Sequence, residues 1–428
     1  MARKMKDSGI EWIGEIPEGW EVLAHKYIMH KEKSICEHYS GEDVISLTLN
    51  GVVKRDLENP SGKMPTTFDG YQFVDPNDLL LCLFDIDVTP RCVGLVKDYG
   101  VTSPAYSRFK IHSGFCNAFY NYLLRFIDDE KVFVHLSKNL RSSLTESDFG
   151  AIKTIVPPKA EQQRIADYLD NRTFEIDTLS SKARSSIEEY KKLKQAVITQ
   201  AVTKGVRGER EMKDSGVEWI GKIPKEWSVS PMKHFIDILP GYAFSSDDFC
   251  IEEGIPLLRG INVGVNEIRW DETVRWNHSI SKQLESFFLK ENDLVVGLDR
   301  PWISDGTRVA FIAKKDLPCL LLQRVCRIRT RCNFDIRWIY YWLSGSSFKD
   351  SLSTETTGIS VPHISTKQIE QFIVAFPNLL EQTQVCNYLD AKCAEIDKLI
   401  AKKVQLIKEL ESYKKSLIYE VVTGKREV

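Results

Sequence analysis

The sequence predicts an α+β protein: two mixed α/β bodies in tandem, each followed by one long helix. Three observations predict it. Residues 5–20, MKDSGIEWIGEIPEGW, return at 212–227 as MKDSGVEWIGKIPKEW, with 12 identities in 16 positions at an offset of 212 − 5 = 207. Residues 157–204 return at 377–424 with 17 identities in 48, at an offset of 377 − 157 = 220. The stretches between, 21–156 and 228–376, match poorly; they are 136 and 149 residues long, and the difference of 13 accounts for the change in offset. Matching at a fixed spacing marks a duplicated structural unit. Halves that agree at the joints and differ in the bodies suggest one frame carrying two different surfaces, with plain drift after duplication as the alternative.

Each element has a local reason. In the first body DVISLT, LLLCLFDI, RCVGLV and SRFKI read as strands by apolar alternation and β-branching, and in the second IPLLRGINV, DLVVGL, RVAFIA and LLLQRVCRIRT do. An aromatic helix follows the last strand of each body, at Phe119–Leu124 and Trp338–Leu343. At the same offset of 338 − 119 = 219, Arg108 and Lys110 match Arg327 and Arg329, on one face of a strand that Arg331 extends. The long helices come next. Pro157 and Pro158, and Pro377 in the second copy, stand where a missing N–H costs least. Apolar residues then recur three and four apart: Ile165, Leu169, Ile176, Leu179, Ala183, Ile187, Tyr190 and Val197, then Val385, Leu389, Ile396, Leu399, Leu406, Leu410 and Leu417. Lys159 to Lys204 is 46 residues, about 69 Å of unbroken helix at about 1.5 Å per residue. Gly205 and Gly424 end the two patterns. Helices this long need a partner, and the two copies packing antiparallel is the economical solution. Lys182, Arg184, Lys191, Lys192 and Lys194, with Lys402, Lys403, Lys408, Lys414 and Lys415, are then expected on outward faces.

Composition narrows the function. At about 150 residues per domain, 428 residues make about three units. The hydrophobic and charged fractions, 43% and 28%, are ordinary for a soluble protein. No apolar run approaches the roughly 20 residues of a membrane span, and no signal core opens the chain, so a cytoplasmic protein is expected. The ten cysteines form no CxxC pair, and Cys319, Cys326 and Cys332 lack zinc-like spacing, which points to reduced thiols. A net charge of −2 means that any affinity for DNA has to be local or shared with a partner. No catalytic motif survives inspection. Gly216 to Lys222 fits GxxxxGK, but Ile223 replaces the Ser or Thr that would hold magnesium, and the twin at Gly9 to Gly14 continues with Glu15. GxGxxG, HExxH and Pro-Asp are absent, and the eight histidines fall into no pairing with a cysteine or serine.

These blocks carry a resemblance. The chain resembles the specificity subunit of a type I restriction–modification system from residue 5 to about 424, through MKDSG[IV]EWIG.IP..W opening each half, Ile155-Val156-Pro157-Pro158 with Glu161-Gln162-Gln163, Tyr168-Leu169-Asp170, Glu175-Ile176-Asp177 and Ala201-Val202-Thr203-Lys204-Gly205. Glu381-Gln382, Tyr388-Leu389-Asp390, Glu395-Ile396-Asp397 and Val422-Thr423-Gly424 repeat them, and Gly241-Tyr242-Ala243-Phe244 and Ile255–Gly260 also look like family segments. Phe376-Pro377-Asn378 departs from the pattern by lacking the double proline.

The resemblance implies two target-recognition domains in pseudo-two-fold tandem repeat, at 1–156 and 212–376, with central helices at 157–211 and 377–428. It implies no catalysis in this chain. Each domain would read one half of a bipartite, asymmetric site on double-stranded DNA, with the helices setting the gap. Two methyltransferase subunits would dock on the helices, and up to two restriction/translocase subunits outside them. S-adenosylmethionine, ATP and magnesium would sit in those partners, with no cofactor or metal here. The expected DNA contacts are Lys54, Arg55, Arg91, Arg108 and Lys110 in the first domain, the last two nearer phosphates. In the second they are Arg259, Asn262, Arg300 and Arg308, with Arg327 and Arg329 as the counterparts. The expected partner contacts are Glu161, Gln162, Tyr168, Asp170, Glu381, Gln382, Tyr388 and Asp390. Two other classes stay open: a coiled-coil scaffold that binds only proteins, and an enzyme with an unrecognised nuclease site.

Overall fold

In a computed structural model, residues 3–49, 51–60, 64–137, 142–303, 306–331, 334–353 and 363–428 are described. Cys332 lies outside them. The chain divides into two compact units, Met1–Arg184 with Val404–Val428, and Ser185–Lys403. Each unit holds one mixed body, part of the first long helix (Lys159–Lys204) and part of the second (Leu379–Val422).

The first unit opens with a hairpin, Met5–Asp7 against Glu15–Pro17, and Glu21–Ala24 pairs with Lys153–Val156 just before the long helix. Two four-stranded sheets follow. One has the order Met29–Lys31, Ser107–Ile111, Leu79–Leu81, Val93–Leu95; the other has Gly51–Lys54, Val44–Thr48, Gly100–Thr102, Gln72–Val74. Leu79, Leu80 and Leu81 are all buried, because both faces of that strand are covered. The aromatic helix Asn117–Asp129 turns Phe119, Tyr120, Leu123, Leu124 and Ile127 inward, onto a core completed by Ile165, Leu169, Leu417, Ile418, Val421 and Val422 of the two long helices.

The second unit repeats this plan. Its hairpin is Met212–Asp214 with Lys222–Pro224, so the GxxxxGK match is a hairpin turn with no helix behind it. Ser228–Pro231 pairs with Ile373–Phe376. The sheet Ile236–Pro240, Val325–Thr330, Leu294–Gly297, Val309–Phe311 has the topology of its counterpart in the first unit. The other sheet differs, with the order Phe249–Cys250, Arg275–Trp276, Ile255–Leu258, Leu320–Leu321. Three strand expectations are corrected here: IPLLRGINV is a strand only over Ile255–Leu258 and continues as a short 3-10 helix at Gly260–Asn262. LLLCLFDI stops at Leu81 and turns into a hairpin loop, and LLLQRVCRIRT is cut in two at Arg324, whose φ of +71° breaks the extended chain.

The long helices run as expected, the first over 46 residues. Gly205 and Gly424 end them at φ +75° and +72°, the left-handed conformation that a glycine permits. A Cβ on Gly424 would lie 2.6 Å from Pro17, so the helix end fits closely against the opening motif. Within the first unit Lys414 bonds Asp177 at 2.7 Å and Arg184 bonds Glu411 at 2.9 Å: one number rises as the other falls, so the helices are antiparallel. Of the expected outward charges, Lys194 and Lys414 instead cross the helix pair, to Asp397 and Asp177, and Arg184 reaches across it to Glu411. Leu179, Leu399 and Leu406 are exposed where a buried seam was expected, because a single partner helix shields only one stripe.

Candidate nucleic-acid interface and helix joints

Two contacts that join helix to body, one through a glutamine and one through a tyrosine, repeat in both units. Gln162, in the first turn of its helix, is buried; its amide oxygen accepts from the Cys116 N–H at 2.8 Å and its amide nitrogen donates to the Pro157 carbonyl at 2.8 Å. Gln382 repeats this with the Asp335 N–H at 3.0 Å and the Pro377 carbonyl at 2.9 Å. Cys116 and Asp335 are the N-cap residues of the aromatic helices, so one side chain holds the start of a long helix to the start of the helix beside it. About two turns on, Tyr122 donates to Asp170 at 2.7 Å, and Tyr341 to Asp390 at 2.5 Å. Burial, with the Asp390 carboxylate beside it, holds the Tyr341 hydroxyl well above its ordinary pKa. Glu161 pairs with Arg3 at 2.6 Å and accepts from the Trp20 indole N–H at 3.0 Å. Burial favours its neutral form, but these two donors outweigh it and lower its pKa. Glu381 pairs with Arg210 at 2.7 Å, and Arg3 and Arg210 lie over Trp20 and Trp227 at 5.5 and 5.4 Å.

This corrects part of the expected partner surface. Gln162, Gln382 and Glu381 are buried inside their own unit, and Glu161 is spent on Arg3 and Trp20. Asp170 and Asp390 are exposed at their rims but engaged by tyrosines, Asp390 also by Arg337 at 2.6 Å. Tyr168 is half-buried under Arg172, and Tyr388 is exposed.

The expected DNA-contacting residues separate in the same way. Arg108 is 2% exposed; its guanidinium binds Asp78 at 2.5 Å, Asp75 at 2.6 Å and the Phe73 carbonyl at 3.0 Å, so it is not offered to a phosphate. Burial raises the Asp78 pKa despite Arg108. Arg327 is likewise buried on Asp237, and Arg329 forms two bonds to Asp293 at 2.5 and 2.8 Å, which raises the Arg329 pKa. Arg91 is engaged by Asp128 and Asp129. Asn262 is buried between the Arg259 N–H and the Arg269 carbonyl, and Arg308 donates to the carbonyls of Val263, Asp299 and Gly260. Arg259 is half-buried and bonded to the Glu272 carbonyl. Lys110 sits between Glu32 at 3.0 Å and Asp75 at 3.4 Å, Lys54 pairs with Asp43 at 2.7 Å, and Arg55 is half-buried. Arg300 alone of the set is exposed with no hydrogen-bond or ion-pair partner among the described residues.

The acids that engage these arginines were missed. Their signal was present: Asn77-Asp78-Leu79 returns as Asn292-Asp293-Leu294, with both asparagines left-handed at φ +73° and +68°. Both aspartates also accept a backbone N–H three residues back, from Asp75 and Lys290, at 2.7 Å. No cluster of residues that could hold a metal ion occurs among the described residues, and none of their helices is long and apolar enough to cross a membrane.

The bodies differ, but these joints repeat beneath them as one duplicated frame. Comparison with known proteins places it. Residues 224–411 match the model of the type I restriction modification DNA specificity domain. The chain is 31% identical over 278 residues to the type I restriction enzyme MjaVIII specificity subunit of Methanocaldococcus jannaschii, across 65% of this chain and 63% of that one. It is 34% identical over 191 residues to the EcoAI specificity subunit of Escherichia coli, across 43% of this chain and 32% of that one. The chain thus spans less than two thirds of the length of either relative. Two solved structures share the fold. One belongs to a study of complex assembly and conformational transition of the type I restriction–modification system (TM-score 0.71, 15% identity, 96% of this chain and 99% of that one). The other is the HsdS subunit of Thermoanaerobacter tengcongensis (TM-score 0.51, 16% identity, 96% and 98%). Residues 224–411 thus match a type I restriction modification DNA specificity domain, and over part of its length the chain is similar to type I restriction enzyme specificity subunits.

Proposed function

We propose that the chain is the DNA-recognition subunit of a type I restriction–modification complex and carries no catalysis of its own. The observation that carries this is the repetition of the joint. Gln162 with Tyr122–Asp170, and Gln382 with Tyr341–Asp390, hold each body to its long helix by the same bonds, while the outward loops of the bodies differ. A body held this rigidly transmits the length of the helix to the bases it reads. Each domain reads one half of a bipartite, asymmetric site, and the helices set the number of unread base pairs between.

The helices also dock two methyltransferase subunits, with restriction/translocase subunits outside them. In the first unit Leu179 and Tyr413 are exposed, about half of each. Their equivalents 220 positions away, Leu399 and Leu193, are exposed in the second unit. A pair of apolar side chains presented twice suits two copies of one partner. S-adenosylmethionine, ATP and magnesium belong to those partners. Near-neutral charge agrees with sharing the phosphate contacts with them.

The test is co-expression with the methyltransferase partner, followed by modified-base sequencing of the host DNA. A methylated motif of two short halves around a fixed gap is expected. A stable complex with no motif favours the protein-binding scaffold and overturns the proposal, as does metal-dependent DNA cleavage by the chain alone.

A further inference from the structure

The strands Leu79–Leu81 and Val93–Leu95 form a hairpin that is repeated as Leu294–Gly297 and Val309–Phe311, and the two hairpins agree bond for bond until they leave the sheet. Cys82 donates to the Cys92 carbonyl at 2.8 Å, and Gly297 to that of Arg308 at 2.9 Å. The Leu83 carbonyl accepts from Leu144 at 2.8 Å, and the Leu298 carbonyl from Ile364 at 2.9 Å. Two residues later each chain enters the left-handed region at a residue that is not glycine: Asp85 at φ +46° and Arg300 at φ +45°. The frame is shared up to that residue, and the residue itself has opposite charge in the two units.

We propose that this left-handed position is a base-reading position in both recognition domains, with Asp85 as the acceptor in one half-site and Arg300 as the donor in the other. The inference rests on the DNA-recognition reading above. Three observations support it. Both side chains are exposed and have no hydrogen-bond or ion-pair partner among the described residues. The arginines around them are engaged: Arg91 by Asp128 and Asp129, Arg308 by three carbonyls, and Arg324 by Asp299. A left-handed backbone is a conformation that L residues rarely adopt and that an arginine has no local hydrogen bond to favour, so the surrounding structure must impose it. Such positions persist where a side chain has to be aimed.

The chemistry differs by half. A carboxylate near DNA is repelled by phosphates, and in the major groove its donors are the exposed amino groups N4 of cytosine and N6 of adenine. A guanidinium at the matching place presents two donors to O6 and N7 of guanine. One loop position that changes from acceptor to donor between the halves is what an asymmetric site requires.

The test selects bound sequences from a randomised duplex library with the full chain in complex with its methyltransferase partner. Wild type, Asp85→Gly and Arg300→Gly are compared; glycine keeps the left-handed turn, and thermal unfolding checks the fold. Each substitution is expected to remove about ten- to hundredfold of preference at one position, Asp85→Gly in one half of the motif and Arg300→Gly in the other. Arg300→Lys, which keeps a donor, is expected to retain part of a guanine preference. A motif unchanged in both variants overturns the inference, and so does weaker binding spread evenly over all positions. If the wild-type complex selects no motif at all, the DNA-recognition reading fails instead.

Discussion

Lys194 donates to both carboxylate oxygens of Asp397 at 2.7 Å, and 220 positions away the same pair recurs with its members exchanged, as Lys414 on Asp177. Each unit therefore ties its two helix segments with one copy of a single ion pair. Lys194 is mostly covered and Asp397 about half exposed, so the pair is worth at most about 1 kcal/mol. Its weight is in register. Lys194→Glu should lower stability by about 1 kcal/mol through like-charge repulsion, and adding Asp397→Lys should restore most of the loss. Urea unfolding at low and at high salt checks it: the coupling should shrink as salt rises, and no recovery in the double variant would show that the contact sets nothing.

Gln162 and Gln382 make a stronger claim on stability. Truncating either to alanine strands a buried N–H, on Cys116 or Asp335, and a proline carbonyl. Unpaired buried groups cost about 1–3 kcal/mol each, so each variant should lose about 2–6 kcal/mol. Glutamate should not substitute, because it keeps the acceptor and loses the donor. Thermal unfolding of the two variants measures this. A loss below about 0.5 kcal/mol would mean that water serves these groups as well as glutamine does.

Asp78 and Asp293 hold equivalent turns and choose different arginines. Asp78 takes Arg108, whereas Asp293 takes Arg329, the counterpart of Lys110. Arg108→Gln leaves a buried carboxylate short of its cation and should cost about 3–5 kcal/mol. The salt slope of DNA binding should not change in a folded fraction, since no phosphate contact is removed. A slope smaller by about one, with stability intact, would return Arg108 to the DNA surface.

Much of the frame was legible because it is periodic or repeated. The long helix from Lys159 to Lys204, the aromatic helices and most strands follow from spacing alone. The roles of single cations did not follow. Arg108 and Arg300 look alike in a sequence, but one meets Asp75 and Asp78, which lie some thirty positions away, and the other meets nothing among the described residues. The family segments Glu161-Gln162 and Glu381-Gln382 likewise read as a partner surface. They are instead the inner face of a joint, a distinction that burial makes and spacing does not. Leu179 failed the opposite way, since the helical period placed it in a seam that one neighbouring helix cannot close.

His25 gives the first unit a pH dependence whose sign is determined. The ring is buried against Phe149 with centroids 4.6 Å apart, and its Nδ1 faces the Phe149 carbonyl at 3.2 Å. A carbonyl only accepts, so Nδ1 carries the proton of the neutral ring and Nε2 is left without a partner. Protonating Nε2 would place a charge in the core with nothing to receive it, and burial lowers the pKa from 6.5 to about 4. The unfolded chain then binds the proton more tightly than the folded one. His25 therefore costs no stability above pH 6.5, and stability is lost as pH falls from there toward 4, by up to about 3 kcal/mol. Paired carboxylates contribute in the same direction at the acid end, so the measurement is a difference. Urea unfolding at pH 7, 5.5 and 4.5 should show a shallower decline for His25→Phe than for wild type. Parallel curves would mean that the folded protein accommodates the imidazolium, through water or a shift of the Phe149 segment.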